Sequence, residues 1–422
     1  MPFTRNSMRR TVTTRLNVGI LGATGAVGQR FVELLEGHPW FEVAALYASE
    51  RSADKPYREA VNWQVPVPRP TYVDDFIIRE MEPGGDVDLV FSALPREPAR
   101  TVEAAFARAG IPVISNASTF RMDGDVPLVI PEVNPEHTAL IKVQQKSRGW
   151  QGFIVTNPNC AVIGLVLPLK PLHDAFGLRQ VQVVTMQARS GAGYPGPPPE
   201  VINDNVLPFI GGEEEKVEAE PRKLLGTITG DGISEAALTV SAQCNRVNVL
   251  DGHLESVSLG FEKRPTVEEV ARTLREFRGL PQEAGLPSAP EWPILVLDEE
   301  DRPQPKLDRD AGKGMAVTVG RIRSDSVLDI KFMVLSHNTI RGAAGAAILN
   351  AELLKGDVSD LATARTHVQQ LVDALGRLDV LVNNAGIWTY LETGTGNEAE
   401  WDRVMAVNLK SVFNYTDAAV PV

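Results

Sequence analysis

Leu16-Asn17-Val18-Gly19-Ile20-Leu21-Gly22-Ala23-Thr24-Gly25-Ala26-Val27-Gly28 decides the fold. Leu16 to Leu21 reads as a buried strand. Gly22 to Gly28 reads as the turn opening a helix through Glu36. Glycines at such a turn let the backbone bend sharply and approach a pyrophosphate held by helix N–H groups. The spacing is a variant of the usual three-glycine fingerprint, and a tight turn without ligand is the plain alternative.

Strand and helix patterns alternate beyond it. Phe41 to Tyr47 is a second strand, Val87 to Ala93 a third and Ile111 to Ser115 a fourth, with a helix at Val102 to Arg108. This alternation predicts an α/β domain with a parallel, doubly wound sheet. After Cys160 the style changes. Gln180 to Ala188, Ala237 to Val249 and Glu255 to Phe261 are alternating or β-branched strands, and Val267 to Phe277 is helical. Ala316 to Arg323 and Val327 to Leu335 read as a hairpin. The expectation is an α+β domain with a mostly antiparallel sheet. Tyr194 to Pro199 is a stiff loop, and Leu286 to Pro293 a proline-rich surface connection. Thr339 to Leu354 is a helix rich in small residues, able to approach another backbone or a ligand closely.

The chain has 422 residues and a net charge of -12. That length suits two or three domains, and the acidity argues against a general nucleic-acid surface. It does not exclude a local basic pocket. Only two cysteines occur, far apart, which indicates a reducing, cytoplasmic setting rather than a disulfide framework. No apolar run reaches the roughly 18 residues of a membrane span. Residues 1–15 contain four arginines and no acid, and read as a basic leader, with Met8 an alternative start.

Cys160 lies in Asn157-Pro158-Asn159-Cys160-Ala161-Val162, where a turn gives way to an apolar helix. A thiol at a helix N-terminus feels the positive end of the dipole, which favours the thiolate. A nucleophilic thiolate beside a nicotinamide suggests redox chemistry at an acyl carbon through a thioester. Cys244, within a strand pattern, reads as an ordinary buried residue. The second strand ends in Ser49-Glu50-Arg51-Ser52. Glu50 suits a free ribose hydroxyl, whereas Ser49, Arg51 and Ser52 tilt the reading to a 2′-phosphate and hence NADP.

Taken in order, Gly22 to Gly28, Asn157 to Cys160, Gly212-Glu213-Glu214-Glu215-Lys216 and Cys244-Asn245-Arg246-Val247 with Gly252-His253 resemble the aspartate-semialdehyde dehydrogenase family, closest to its archaeal and fungal branch. The resemblance covers about residues 16–355. It implies a Rossmann-type NADP-binding domain at 16–156, to which 336–355 return, and a catalytic and dimerisation domain at 157–335. It implies reduction of L-aspartyl-4-phosphate by NADPH to aspartate semialdehyde and phosphate, in lysine, threonine and methionine biosynthesis.

By the same resemblance Cys160 is the nucleophile and His253 the acid/base. Gln187 orients substrate and Asn159 is an oxyanion partner. Arg246 takes the α-carboxylate, Glu214 the ammonium, and Arg121 and Lys216 the phosphate. The expected cofactor contacts are Gly22, Thr24, Gly25, Ala26, Val27 and Gly28, with Ser49, Arg51, Ser52, Ser92 and Asn338. No metal is expected, and the assembly is a homodimer or homotetramer. Malonyl-CoA reductase, which shares the thioester logic, is the nearest alternative, and N-acetylglutamyl-phosphate reductase a more distant one. Glu214 with Arg246 favours the amino-acid substrate.

Residues 356–422 depart from that family. Leu378 to Gly386, with its Asn-Asn-Ala-Gly, and Val407-Asn408-Leu409 resemble the middle of a short-chain dehydrogenase/reductase. Its glycine-rich loop should precede Asp357 and is missing. Its Tyr-x-x-x-Lys pair is missing too, since Gly394 follows Tyr390 and Ala419 follows Tyr415 at that spacing. The tail therefore reads as a non-catalytic fragment, and an inactive chimera is the alternative to a working enzyme. A strand such as Val380 to Asn384 could pair with an exposed sheet edge and promote association.

Overall fold

The computed structural model describes residues 15–193, 196–230, 232–355 and 405–419. Residues 16–353 form one compact unit that contains two main sheets. The first is built from β1 (Leu16–Leu21), β2 (Phe41–Tyr47), β3 (Leu89–Ser92), β4 (Val113–Ser115) and β5 (Ile154–Thr156). All are parallel, in the order β2-β1-β3-β4-β5. Every residue of β3, β4 and β5 is buried, as strands covered on both faces require. The order reverses between β1 and β3, which opens a crevice at the carboxyl ends of the strands.

The glycine turn sits at that crevice. Gly22 has φ +78, a conformation that side chains disfavour. A Cβ on Gly28 would lie 2.2 Å from the Gly22 carbonyl oxygen, so the helix Ala26–Leu34 can start this close only with glycine there. The strand β5 then runs, after three residues, into the helix Cys160–Phe176. The sequence thereby carries Cys160 to the carboxyl edge of the first sheet.

The second sheet begins with β6 (Leu178–Gln187). A separate antiparallel pair follows, β7 (Thr227–Thr229) with β8 (Gly232–Ser234). The sheet continues with β9 (Thr239–Arg246), β10 (His253–Phe261), β11 (Ile294–Leu297), β12 (Val317–Ser324) and β13 (Ile330–Ser336). Its order is β11-β12-β13-β10-β6-β9. The three central pairings are antiparallel and the two outer ones parallel. The expected antiparallel character thus holds at the centre only. The chain crosses from β6 to β9 through the helix Glu214–Leu224, and a crossover sets two strands parallel. Residues of the helix Cys160–Phe176, among them Val162, Leu165 and Leu169, share one buried core with Val257, Leu259 and Val334 of this sheet.

The segment expected to be a small-residue helix begins as a π-helical turn, Ile340–Ala344, and continues as the α-helix Gly345–Lys355. A Cβ on Gly342 would fall 2.8 Å from the Cys160 Cβ, so the missing side chain is what lets this segment reach the nucleophile. Beside it Arg341, fully buried, donates through both terminal nitrogens to Glu132 at 2.9 and 2.6 Å.

In the separate unit, residues 405–419 form a π-helical turn, Ala406–Lys410, leading into the helix Ser411–Ala419. Val407-Asn408-Leu409 falls in that turn. The expected leader, Tyr194-Pro195, and the stretch from Asp357 through the Asn-Asn-Ala-Gly motif to Gly394 lie outside the described residues. Among the described residues, no helix is long and apolar enough to cross a membrane.

Under the first sheet, Glu103 on the helix Arg96–Arg108 accepts at one oxygen from Ser92 Oγ (2.6 Å) and Ser115 Oγ (2.7 Å). Burial lifts its carboxyl to about 7, against the pull of the two hydroxyls and Arg121. A raised acid stabilises the fold while protonated, so its contribution is complete below the carboxyl's ordinary range and is lost as pH rises through about 7. Thermal unfolding of Glu103→Gln against the parent should show the variant gaining relative stability, on the order of 2–3 kcal/mol, between acid and pH 8. A difference that stays constant with pH would contradict a protonated Glu103.

Candidate active site

The start of the helix Cys160–Phe176 organises the site. Asn159 is its N-cap, and its Oδ1 accepts from Ala161 N (2.9 Å) and Val162 N (3.4 Å). Such a cap satisfies N–H groups that have no partner within the helix. The same side chain donates from Nδ2 to Glu213 Oε1 at 2.7 Å, and its backbone N donates to Glu220 Oε2 at 2.6 Å. Asn159 was expected to serve an oxyanion, but its amide is committed at both ends to the helix and to Glu213.

Cys160 Sγ lies 3.3 Å from His253 Nε2. The two residues are 93 apart in sequence, and β10 supplies the histidine as its first residue. His253 is fully buried, and its Nδ1 accepts from Ala188 N at 3.1 Å. Gly191 leaves room for the ring and the guanidinium beside it, since a Cβ there would meet Arg246 Nη1 at 2.5 Å and His253 Cε1 at 2.9 Å.

Charge is concentrated around the sulfur. Burial, then the nearby Glu213 carboxylate, pushes the Cys160 thiol up to about 12. Arg121, Arg246 and Lys216 pull it the other way. Burial, then Arg246 and His337, holds His253 down to about 3. Burial and Glu213 thus act against the thiolate that the helix N-terminus was expected to favour, and burial, then Arg246 and His337, act against the imidazolium.

Arg246, at the end of β9, donates from Nη1 to Ala188 O (2.9 Å) and Gln187 Oε1 (3.3 Å). Gln187 in turn donates to Glu213 Oε1 at 3.2 Å. Lys216 Nζ lies 3.1 Å from Glu213 Oε2. Arg121 donates to Glu220 Oε1 (3.0 Å) and Asn116 O (2.7 Å), while its buried Nε has no partner. Arg121, Arg246 and Lys216 thus all act on the Cys160 thiol, and Gln187 joins them through Arg246 and Glu213.

Glu214 does not. Its Oε1 accepts from Cys244 N and Gln243 Nε2, both at 3.0 Å, on the outer edge of β9. The carboxylate in the site is Glu213. Helical geometry separates neighbours by about 100°, so one residue's shift turns the side chain from the thiol to the strand. Glu220, seven residues from Glu213, returns to the site's face.

Sequence reading missed three residues. Glu220 joins Arg121 to the nucleophile's cap, and its i, i+7 spacing from Glu213 was a usable signal. Lys223 donates to the carbonyls of Arg121 (2.7 Å), Asp123 (2.7 Å) and Val126 (2.8 Å), which holds the Arg121 loop. Glu255, two residues past His253 on the same face of β10, is buried with neither carboxyl oxygen partnered, and burial raises its pKa well above the ordinary carboxylate range. Nothing in the sequence marked it.

At the glycine turn, Gly22 N and Ala23 N both donate to Tyr47 O, which ties the turn to the end of β2. The helix that follows carries no side-chain cap, and a Cβ on Gly25 would meet only Gly22 O, at 3.4 Å. That open, uncapped N-terminus with Thr24, Gly25, Ala26 and Val27 fits a pyrophosphate. Ser49 and Arg51 are exposed at the end of β2, and Ser52 is half-buried. Ser92 does not face the crevice: its hydroxyl serves Glu103 and its carbonyl accepts from Asn116. Asn338 is likewise occupied, accepting from Gly252 N and donating to Ser190 Oγ, both at 2.8 Å. Among the described residues no cluster of His, Cys, Asp and Glu could hold a metal.

A dinucleotide-type sheet that hands a half-buried thiol, set against a buried imidazole, to a pocket of both charge signs defines a dehydrogenase acting at an acyl or aldehyde carbon. Residues 17–141 match the family model "Semialdehyde dehydrogenase, NAD binding domain", and residues 169–341 match "Semialdehyde dehydrogenase, dimerisation domain". The chain is 57% identical to the aspartate-semialdehyde dehydrogenase of Archaeoglobus fulgidus over 341 residues, 81% of this chain and 98% of that protein. The Methanothermobacter thermautotrophicus protein of that name is 55% identical, over 80% and 99%. The crystal structure of the Candida albicans enzyme with NADP superposes with a TM-score of 0.75 at 47% identity, covering 81% of this chain and 99% of that one. The chain belongs to the aspartate-semialdehyde dehydrogenase family. Residues 328–422 match a different model, "short chain dehydrogenase".

The Glu213 carboxylate should hold the thiol protonated. In Glu213→Gln the pH profile of Cys160 alkylation by iodoacetamide moves to lower pH, with faster labelling at neutral pH. An unmoved or upward-shifted profile would remove Glu213 from the thiol's electrostatics.

Proposed function

We propose that this chain is the phosphorylating, NADP-dependent enzyme that interconverts L-aspartyl-4-phosphate and aspartate semialdehyde in lysine, threonine and methionine biosynthesis. The observation that carries the reading is the Cys160–His253 contact among Arg121, Lys216 and Arg246, with the Glu213 carboxylate beside the thiol. Solved relatives are titled as complexes with NADP and, for the Vibrio cholerae enzyme of 30% identity and TM-score 0.65, with ASA.

Cys160 attacks the acyl carbon and phosphate departs, leaving a thioester on sulfur. The nicotinamide, when bound, supplies hydride to that carbon. Gly22 and Thr24 to Gly28 would hold the pyrophosphate, and Ser49, Arg51 and Ser52 the 2′-phosphate. His253 directs Nε2 at the sulfur and at the acyl oxygen that gathers charge. Arg246 binds the α-carboxylate with its outward guanidinium face. Arg121 and Lys216 bind phosphate, and Glu213, in place of Glu214, receives the ammonium. The need for an ammonium partner sets this substrate apart from malonyl-CoA and N-acetylglutamyl phosphate. Both cysteines are free, in keeping with a cytoplasmic enzyme, and the dimerisation-domain match supports a homodimer or homotetramer.

The tail is proposed to be catalytically empty. In a phosphate-dependent assay with aspartate semialdehyde and NADP, Cys160→Ser should lose at least about a thousandfold in turnover. Turnover near the parent's would defeat the mechanism, and reduction of malonyl-CoA in place of this activity would change the substrate. A chain ended at Lys355 should match the full chain; if the shortened enzyme alone is active, the tail is inhibitory.

A further inference from the structure

Val183, Cys244 and Val257 share one buried core, so Thr185 and Glu255, each two residues from a core valine, lie on that same face of β6 and β10. Thr185 is paired with Glu255 on one side and with Cys244 on the other. Residues so opposed hold their Cβ atoms about 4.5–5.5 Å apart. One row further along, Gln187 pairs with Arg246 and the site begins. One row back, Val183 pairs with Val257 in the apolar core. Glu255 therefore stands in the last row beneath the site. It is 1% exposed, and neither of its carboxyl oxygens has a partner among the described residues.

Thr185 links that row to the site. Gln187 Nε2 donates to Thr185 Oγ1 at 3.4 Å and to Glu213 Oε1 at 3.2 Å, while its Oε1 accepts from Arg246. This amide orientation requires the Thr185 hydroxyl hydrogen to point away from Gln187, toward an acceptor. The Cys244 sulfur on one side is a weak acceptor, and a carboxyl oxygen on the other is a strong one. Across from Thr185, the other neighbour of Glu255 is Val334, which offers no polar group. The charge of Glu255 is also felt by the Cys244 thiol beyond Thr185, which favours the β6 side for the carboxyl. A buried water commonly bridges such groups when they stand too far apart for direct contact.

We propose that Glu255 is a positioning residue for Gln187: through one bridging water it takes the hydroxyl hydrogen of Thr185 and leaves Thr185 Oγ1 to accept from the Gln187 amide. This rests on the reading of Gln187 as the amide that orients the substrate. Glu255 touches neither substrate nor cofactor. It acts by fixing which end of the Gln187 amide faces Arg246. Without it the Thr185 hydroxyl is free to turn toward Gln187, and the amide is free to flip. A flipped amide sets its N–H groups against the Arg246 guanidinium and its oxygen against the Glu213 carboxylate, so both contacts become repulsive. A neutral acid suits this place, because it supplies an acceptor oxygen without adding a second anion near Glu213.

Two measurements on the full chain test this. In the phosphate-dependent assay, Glu255→Leu should lower kcat/KM for aspartate semialdehyde about tenfold and leave the KM for NADP unchanged. Glu255→Gln keeps a carbonyl and a donor, and should return to within about twofold of the parent. Thr185→Val should reproduce the loss, Thr185→Ser should not, and Glu255→Leu with Thr185→Val should be no worse than either alone. Gln as damaging as Leu at 255, equal effects on both substrates, or additive losses overturn the proposal. If Glu255→Leu does not fold, equal activity of Thr185→Val and Thr185→Ser overturns it. A high-resolution crystal structure of the ligand-free parent should show a water within hydrogen-bond reach of both Glu255 and Thr185. A carboxyl walled off from Thr185, or a water shared only with the unpartnered Ser336 hydroxyl on β13, overturns it as well. If the parent shows no turnover, or Gln187→Ala keeps the parent's kinetics, the substrate reading fails, whereas the crystal structure judges the Glu255–Thr185 link by itself.

Discussion

Asn159 is the joint on which the site turns. One side chain caps the helix that begins with the nucleophile and fixes Glu213, and its backbone N fixes Glu220. Through Glu213 it reaches Lys216 and Gln187, and through Glu220 it reaches Arg121. The helix that begins at Cys160 is also the continuation of β5, so the same joint sets the thiol against the carboxyl edge of the first sheet. The second sheet then brings His253 within reach of the sulfur and Arg246 into its electrostatic surroundings.

That arrangement places the pair in a strongly charged surrounding. Burial is the largest influence on both members: it raises the thiol and lowers the imidazole, and so opposes ionisation of either. The cations are held in place by partners within the protein: Arg121 by Glu220 and the Asn116 carbonyl, Lys216 by Glu213, and Arg246 by Gln187 and the Ala188 carbonyl. Lys223 shows the principle: a buried ammonium satisfied by three carbonyls fixes the loop from which Arg121 extends.

Much of this was legible from residue order. The run Leu16 to Gly28 has a local physical meaning, because a strand that must be buried and a turn that excludes Cβ atoms leave few alternatives. Cys160 was legible from the turn that opens an apolar helix, but His253 only through the family resemblance; nothing local to His253 shows that β10 begins there. Glu214 was misread for Glu213 because a run of three glutamates carries no phase until the helix is fixed by its apolar face, Val217 and Leu224. Ser92 and Asn338 were expected as cofactor contacts from the family resemblance, whereas their side chains are engaged by Glu103 and by Gly252 and Ser190. The parallel edges of the second sheet were hidden because strand patterns do not encode direction. Glu255 was invisible, since a carboxylate in an alternating strand reads as solvent-facing.

The displaced Glu214 has its own consequence. β9 is the outermost strand of its sheet, and its outward amides at Ala242, Cys244 and Arg246 are taken by Glu218, Glu214 and the Leu207 carbonyl. A rim of free amides would be an invitation to any extended segment, including the valine-rich one in the appended tail. Here carboxylates from the acidic helix stopper that rim over consecutive positions. Recruitment of a further strand along this stretch would first have to evict two anions, so the border of the sheet is sealed against polymer-like growth.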